Sequence, residues 1–273
     1  MAVDVWAHSR SGVSGRRRSL GEHCRSTAWW AGWFAEEFGA GQLAYAVGLF
    51  HDAGKASCAW QDRLAVVDGT DAPVGVPHKE FGAHLLTPRV SVYAMTIAGH
   101  HGGLTDLTEF RGQLAKIAAE DDSGTVERFF RCVPEASSVL CEVGLLPTGW
   151  GEVAGTVTEM RMRMMFSAMV DADHLDTGAH REGLAGPRVA AHADMSVLVE
   201  RFERNRVAAI ASRGGGVGGL REEVYAASVA AASGAPGVFR LAAPTGLGKT
   251  FAQAGFGLHH SAAFGNRRVV LAG

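Results

Sequence analysis

The sequence has no excess of charge of either sign. Lysine and arginine number 26 against 28 aspartates and glutamates, a formal net charge of −2. No global basic field points to nucleic acid, so such a substrate would have to be held by a local groove or through metal. The four cysteines, Cys24, Cys58, Cys132 and Cys141, are scattered without a C-x-x-C pair. That argues against a structural zinc site, and nothing demands disulfides. No apolar run approaches the roughly 18 residues of a membrane span. The opening "MAVDVWAHSRSG" lacks the apolar core of a signal peptide. These absences lead to the expectation of a soluble, cytoplasmic protein. No internal repeat is visible, and strand-like patterns are scarce before residue 210.

What is present is apolar helix. The hydrophobic share of 47% is ordinary for a chain with a sizeable core, and 273 residues suggest one or two domains. "TAWWAGWFAEEFG" (27–39) carries a broad apolar face and stops at Gly39. "GQLAYAVGLFHDAG" (41–54) is apolar nearly all round, which places it centrally. "EFGAHLLT" (80–87) runs up to Pro88. "VSVYAMTIAGHHGG" (90–103) and "RMRMMFSAMVDADHLDT" (161–177) complete the helical set. The expectation is a mainly α fold up to about residue 210.

The character changes at "ASRGGGVGGLREE", a glycine-rich stretch that reads as a flexible connection. Beyond it, "GVFRLAAPTGLGKTFAQAGFGLHH" reads as strand, glycine loop and helix, and "RRVVLAG" (267–273) as a second strand.

Twelve histidines are the more informative feature, because several stand beside Asp or beside each other. His51-Asp52 and His100-His101 fall where apolar segments end. Helix ends in a bundle can converge on one cavity. Imidazole with carboxylate suits manganese, iron, cobalt, nickel or zinc. A carboxylate can also bridge two ions, and two ions about 3.5–4 Å apart can clamp a phosphodiester. Each piece alone has a plain structural reading: a chance His-Asp dipeptide, a capping His23, a solvating Asp171.

Together, His23, His51-Asp52, His78, His100-His101 and Asp171 resemble the HD-domain metal-dependent phosphohydrolases. More narrowly, "WAHS", "GLFHDAGKASCAWQ", "AGHHGGLTD" and "FSAMVDADHLDT" resemble the nuclease domain of the CRISPR-associated helicase-nuclease, the effector recruited by the type I surveillance complex. The resemblance implies an HD-domain helical bundle over 1–205, a glycine-rich linker over 206–235, and the N-terminal fragment of a RecA-like α/β helicase domain over 236–273. It implies two divalent transition-metal ions bridged by Asp52. His23, His51 and Asp171 would complete one site, and His78, His100 and His101 the other. Asp171 is chosen because the family's ligand matches the first acid of "DAD"; Asp173 and Asp176 compete for the role. Lys55 would face the same cavity as a catalytic residue with Asp52, the alternative being a solvated lysine. His78 sits in "PHKEFGA", where the family more often has an acid before the histidine and a serine after it. His8 stands where the family commonly has lysine, as an extra ligand or a mere substitution.

"LAAPTGLGKT" (241–250) fits a phosphate-binding loop with Ala243 at the first glycine, the form seen in superfamily 2 helicases. Gly246 and Gly248 would let backbone N–H groups curl around phosphate. Thr245 belongs to the same loop, Lys249 would reach the β/γ-phosphates, and Thr250 would offer its hydroxyl to magnesium. The acidic strand and arginine finger of an ATPase are not in the sequence, so the motor part reads as truncated. The expected activity is metal-dependent hydrolysis of single-stranded DNA in antiviral defence, normally coupled to an ATP-driven helicase. The alternatives are an HD-type nucleotide phosphohydrolase and a catalytically degenerate adaptor. Arg16–Arg18 form a local basic cluster, read as a solvated loop or part of a DNA path.

Overall fold

The fold is described from a computed structural model, which covers residues 4–70, 72–119, 123–142, 144–151, 155–188, 194–211 and 218–271. It is mainly helical and divides into two compact units, Met1–Arg188 and Val189–Gly273.

The first unit opens with a short antiparallel hairpin, β1 (Trp6–His8) against β2 (Arg18–Ser19), pairing Trp6 with Ser19 and His8 with Arg18. Helix α1 (Leu20–Ala35) starts immediately after it. Ser19 accepts from the Glu22 N–H while the Glu22 carboxylate accepts from the Ser19 N–H, a reciprocal cap that starts the helix seven residues before "TAWW". The chain leaves α1 through a 3₁₀ turn, Glu36–Phe38, and reverses at left-handed Gly39 (φ 70°).

Helix α2 (Gly41–Phe50) is buried on nearly every face. It crosses α1 closely because a Cβ on Gly48 would sit 2.8 Å from the Ala28 Cα. That approach brings His23 on α1 beside His51, the residue that ends α2. The segment 41–54 is therefore not one helix: it breaks at His51-Asp52, and a 3₁₀ turn (Ala53–Ala56) follows. Helix α3 (Cys58–Val67) is capped by Ser57, and its end is tied to the hairpin where Asp68 receives Arg17 (Nε 3.0 Å).

Helix α4 (Lys79–Val90) runs through Pro88 instead of stopping before it. The proline lies in the last turn, so the one hydrogen bond it removes is at the helix end, and the helix stops two residues later. A 3₁₀ turn (Ser91–Ala94) and the short α5 (Met95–Gly99) deliver His100 and His101. Helices α6 (Leu107–Ala119), α7 (Ser123–Cys132) and α8 (Glu135–Cys141) pack round the outside. The long α9 (Gly155–Arg181) lies along α1 and buries Met165, Met169, Ala172, Asp173 and Asp176.

The second unit contains α10 (Met195–Ala211), α11 (Gly218–Ala231) and α12 (Lys249–Phe264). The boundary between the two compact units falls before α10. Phe202 of α10 meets Phe251 of α12 (centroids 6.2 Å apart), and Arg206 pairs with Glu222 of α11. The stretch read as a linker thus contains α11; its glycine run at 212–217 lies outside the described residues. The strands expected before the P-loop and at 267–273 carry no ladder among the described residues. Val238, within the first of them, is fully exposed. No helix among the described residues is long and apolar enough to cross a membrane.

Candidate metal centre

Four segment ends and two helix interiors meet at Asp52. His51 ends α2 with its ring folded back, so that Nδ1–H donates to the Gly48 carbonyl (2.7 Å). His100 repeats the device at the end of α5, donating from Nδ1 to the Ile97 carbonyl (2.7 Å). His23, inside α1, is held through Nδ1 by Asp176 of α9 (2.7 Å). Asp176 in turn receives Arg18 at both oxygens, from Nη2 (2.5 Å) and Nε (3.2 Å). These partners fix the ring orientations and leave each Nε2 lone pair pointing inward.

The inward atoms form two clusters that share Asp52. Asp52 Oδ2 lies 3.1 Å from His23 Nε2 and 3.3 Å from His51 Nε2. Asp173 Oδ1 closes that cluster at 3.3 Å from His23 Nε2 and 3.8 Å from His51 Nε2. On the other side, Asp52 Oδ1 faces His78 Nε2 (3.3 Å) and His100 Nε2 (3.6 Å). His101 joins through a 3.2 Å approach of its Nε2 to that of His78. The set is buried apart from His78, half-buried, and His101, exposed.

So many acceptor atoms facing one another need a cation. Asp52 Oδ1 and His100 Nε2 are buried with no hydrogen-bond partner. In the first cluster a proton can take the cation's place. Burial pulls His23 down, but hydrogen bonds with Asp173, Asp176 and Asp52 outweigh it and push it up to about 10. Burial is likewise overcome at His51 by the Asp52 charge, which carries it to about 9. In the second cluster burial wins: His100 is lowered, and His101 falls to about 4 with His100 adding to the effect. Despite burial, Asp52 is held well below the carboxylate range by Lys55 and His51. The nitrogen and oxygen donors fit a divalent cation of the manganese-to-zinc series.

Six of the seven ligands named from sequence converge: His23, His51, Asp52, His78, His100 and His101. Asp171 does not. It lies exposed on α9, and Asp173 occupies the expected place. The reason is helical phase: Met165, Met169 and Ala172 mark the inner face, which continues through Asp173 and Asp176 and leaves Asp171 outside. That phase was readable in the sequence. Lys55 is not a solvated lysine. Its side chain is buried, with Nζ 2.6 Å from Asp52 Oδ2 and 5.1 Å from the Trp60 ring centroid. His8 belongs to neither cluster; its ring meets His23 edge-on (4.6 Å), and its Nε2 lies 3.3 Å from Thr177 Oγ1. Arg17 and Arg18 are not free basic groups, being committed to Asp68 and Asp176. Nothing in the local sequence links Arg18 to the site.

In the second unit the segment expected to form a phosphate loop leads into α12. Gly246 and Gly248 are left-handed (φ 90° and 75°), and Gly248 caps the start of α12. Thr245, Gly246, Gly248, Lys249 and Thr250 line one cavity of about 470 Å³ together with Arg206, Arg221 and Tyr225. Lys249 Nζ donates to the Ala243 carbonyl (3.0 Å), and Arg221 Nε to the Gly246 carbonyl (2.8 Å).

No protein-family model and no curated protein matches the chain.

Proposed function

We propose that the protein is an HD-type metal-dependent nuclease that hydrolyses phosphodiester bonds of single-stranded DNA. The observation that carries this reading is the placement of Asp52, which turns one oxygen toward each of two histidine clusters. Such a carboxylate is suited to hold two divalent transition-metal ions, iron, manganese, nickel or cobalt, a short distance apart. When bound, that pair would supply Lewis acidity and a nucleophile at neutral pH.

The chain's own residues do the rest. His51 and His100 present fixed lone pairs because their Nδ1 protons are spent on helix carbonyls. Asp176, anchored by Arg18, orients His23. Lys55, with Nζ 2.6 Å from Asp52 Oδ2, is the cationic side chain of this site that would meet charge developing on a phosphodiester. His101, the exposed member, marks the open side by which a strand would enter.

The P-loop cavity supports the nuclease reading over that of a nucleotide phosphohydrolase, which has no need of one. ATP with magnesium is the ligand this cavity would take. By the resemblance of its motifs, the protein acts in the cytoplasm beside a type I CRISPR surveillance complex. The test is to offer manganese-loaded protein labelled single-stranded DNA and, separately, nucleoside triphosphates and cyclic nucleotides. Cleavage of DNA supports the reading. Consumption of nucleotides with intact DNA replaces it with the phosphohydrolase, and failure to bind any metal replaces it with the adaptor.

A further inference from the structure

A second site lies away from the metal centre, on the outer face of α1. Trp29 and Trp33, one turn apart, are 55% and 47% exposed. The two indoles stand together on one face of the helix and form an apolar patch there. They are not loose. Trp30, packed against the core, meets both rings edge-on, with centroids 4.5 Å from Trp29 and 5.6 Å from Trp33. The two indoles form one side of a groove of about 440 Å³, with Tyr45 of α2 and Val139 of α8 among its other lining. The charged side chains lining it are carboxylates, Glu36 and Glu142. Burial raises the Tyr45 hydroxyl; the charge of Glu135 adds to this, that of Arg25 opposes it, and that of Glu142 adds a smaller share. The neighbouring cation, Arg25, is committed to Glu135 through Nε (2.5 Å) and Nη2 (3.0 Å).

We propose that this groove receives a cationic side chain, arginine or lysine, presented by a basic segment of a partner protein. Aromatic faces with carboxylates at the rim are the chemistry that holds a guanidinium or ammonium group, and they repel phosphate. The volume accommodates a side-chain head and its methylene stem. Arginine and tryptophan are also the residues that dominate protein–protein contacts. The proposal does not depend on metal binding or nuclease activity.

The test uses the whole chain and a defined probe, the blocked peptide Gly-Arg-Gly-Arg-Gly, with its citrulline counterpart as the uncharged control. Binding is read from the indole N–H signals of Trp29 and Trp33. The arginine peptide should shift both signals and weaken with added salt. The citrulline peptide should bind about tenfold more weakly, because only the charge is lost. Trp33→Ala should weaken the arginine peptide by about 2–5-fold. The isosteric pair Glu36→Gln and Glu142→Gln, which leaves the helices intact, should abolish the salt dependence. Equal binding of the citrulline peptide would overturn the proposal. So would stronger shifts with oligothymidylate, or self-association of the protein that buries both indoles.

Discussion

Gly54 offers a way to dismantle one metal cluster and leave the other standing. It lies in the 3₁₀ turn directly after Asp52, against the backbone of His78. A Cβ built there would stand 2.1 Å from the His78 carbonyl oxygen and 2.8 Å from its Cα, where ordinary contact begins at 3.4 Å. Both atoms are backbone, so no side chain can swing aside. In Gly54→Ala the His78 segment must withdraw by more than ~1 Å, an overpacking cost of about 1–3 kcal/mol. His78 Nε2 now lies 3.3 Å from Asp52 Oδ1 and 3.2 Å from His101 Nε2. Metal sites tolerate about 0.2 Å of ligand displacement, so the second cluster loses a ligand. His23, His51 and Asp173 come from α1, the end of α2 and α9, and do not move with His78. The variant should fold, with wild-type helical circular dichroism, and bind one manganese per chain where the wild type binds two. Elemental analysis after loading and desalting measures this, with His78→Ala as the reference. Two ions of unchanged affinity in Gly54→Ala, or loss of both, would refute the division into two clusters.

Asp173→Asn should abolish metal-dependent cleavage, whereas Asp171→Asn, on the exposed side of α9, should stay within about twofold of wild type. Arg18→Ala, which frees Asp176 and so unsettles His23, should lower metal affinity by about 10–100-fold in a calorimetric titration. Metal at a hundred times its Kd should raise the unfolding free energy by about 2.7 kcal/mol, seen as a higher Tm, and a chelator should reverse the gain. Asp68 tests the hairpin anchor. Hydrogen bonds from Arg17 hold its carboxyl below the ordinary 3.8, so its contribution to stability is full above that pH and is lost as the pH falls through the folded value. Asp68→Asn should therefore melt lower than wild type at pH 7, and the gap should close in acid.

The parts of the site that were legible in the sequence are those where a polar pair ends an apolar run. "GLFHD" and "IAGHH" stand out because a buried helix has no use for such endings unless something meets them. The helical class was legible for the same reason, since the apolar faces are long and repeat at helical spacing. Asp171 against Asp173 was a matter of phase: motif position pointed to the first acid, while the buried methionines upstream point to the second. Arg18 and Asp176 could not be linked by sequence, because 158 residues separate them and only the packing of α9 on α1 brings them together. Among the helix boundaries missed, α4 carries Pro88 in its last turn and ends two residues beyond it. The two strands expected in the second unit had suitable composition, but a strand exists only with a partner beside it. For α11, glycine-rich composition masked "LREEVYAASVAA", whose Tyr225 is buried against α12 and whose hydroxyl donates to Glu203.

The central claim is that Asp52 joins two metal ions into one centre that cleaves a phosphodiester. The most direct test pairs metal content with cleavage of 5′-labelled single-stranded DNA, wild type against Asp52→Ala, with manganese added or chelated. The wild type should bind two ions and cleave the DNA in a metal-dependent way, and Asp52→Ala should retain neither the metal affinity nor the cleavage. Equal cleavage by both proteins, or full metal content in the variant, would contradict it.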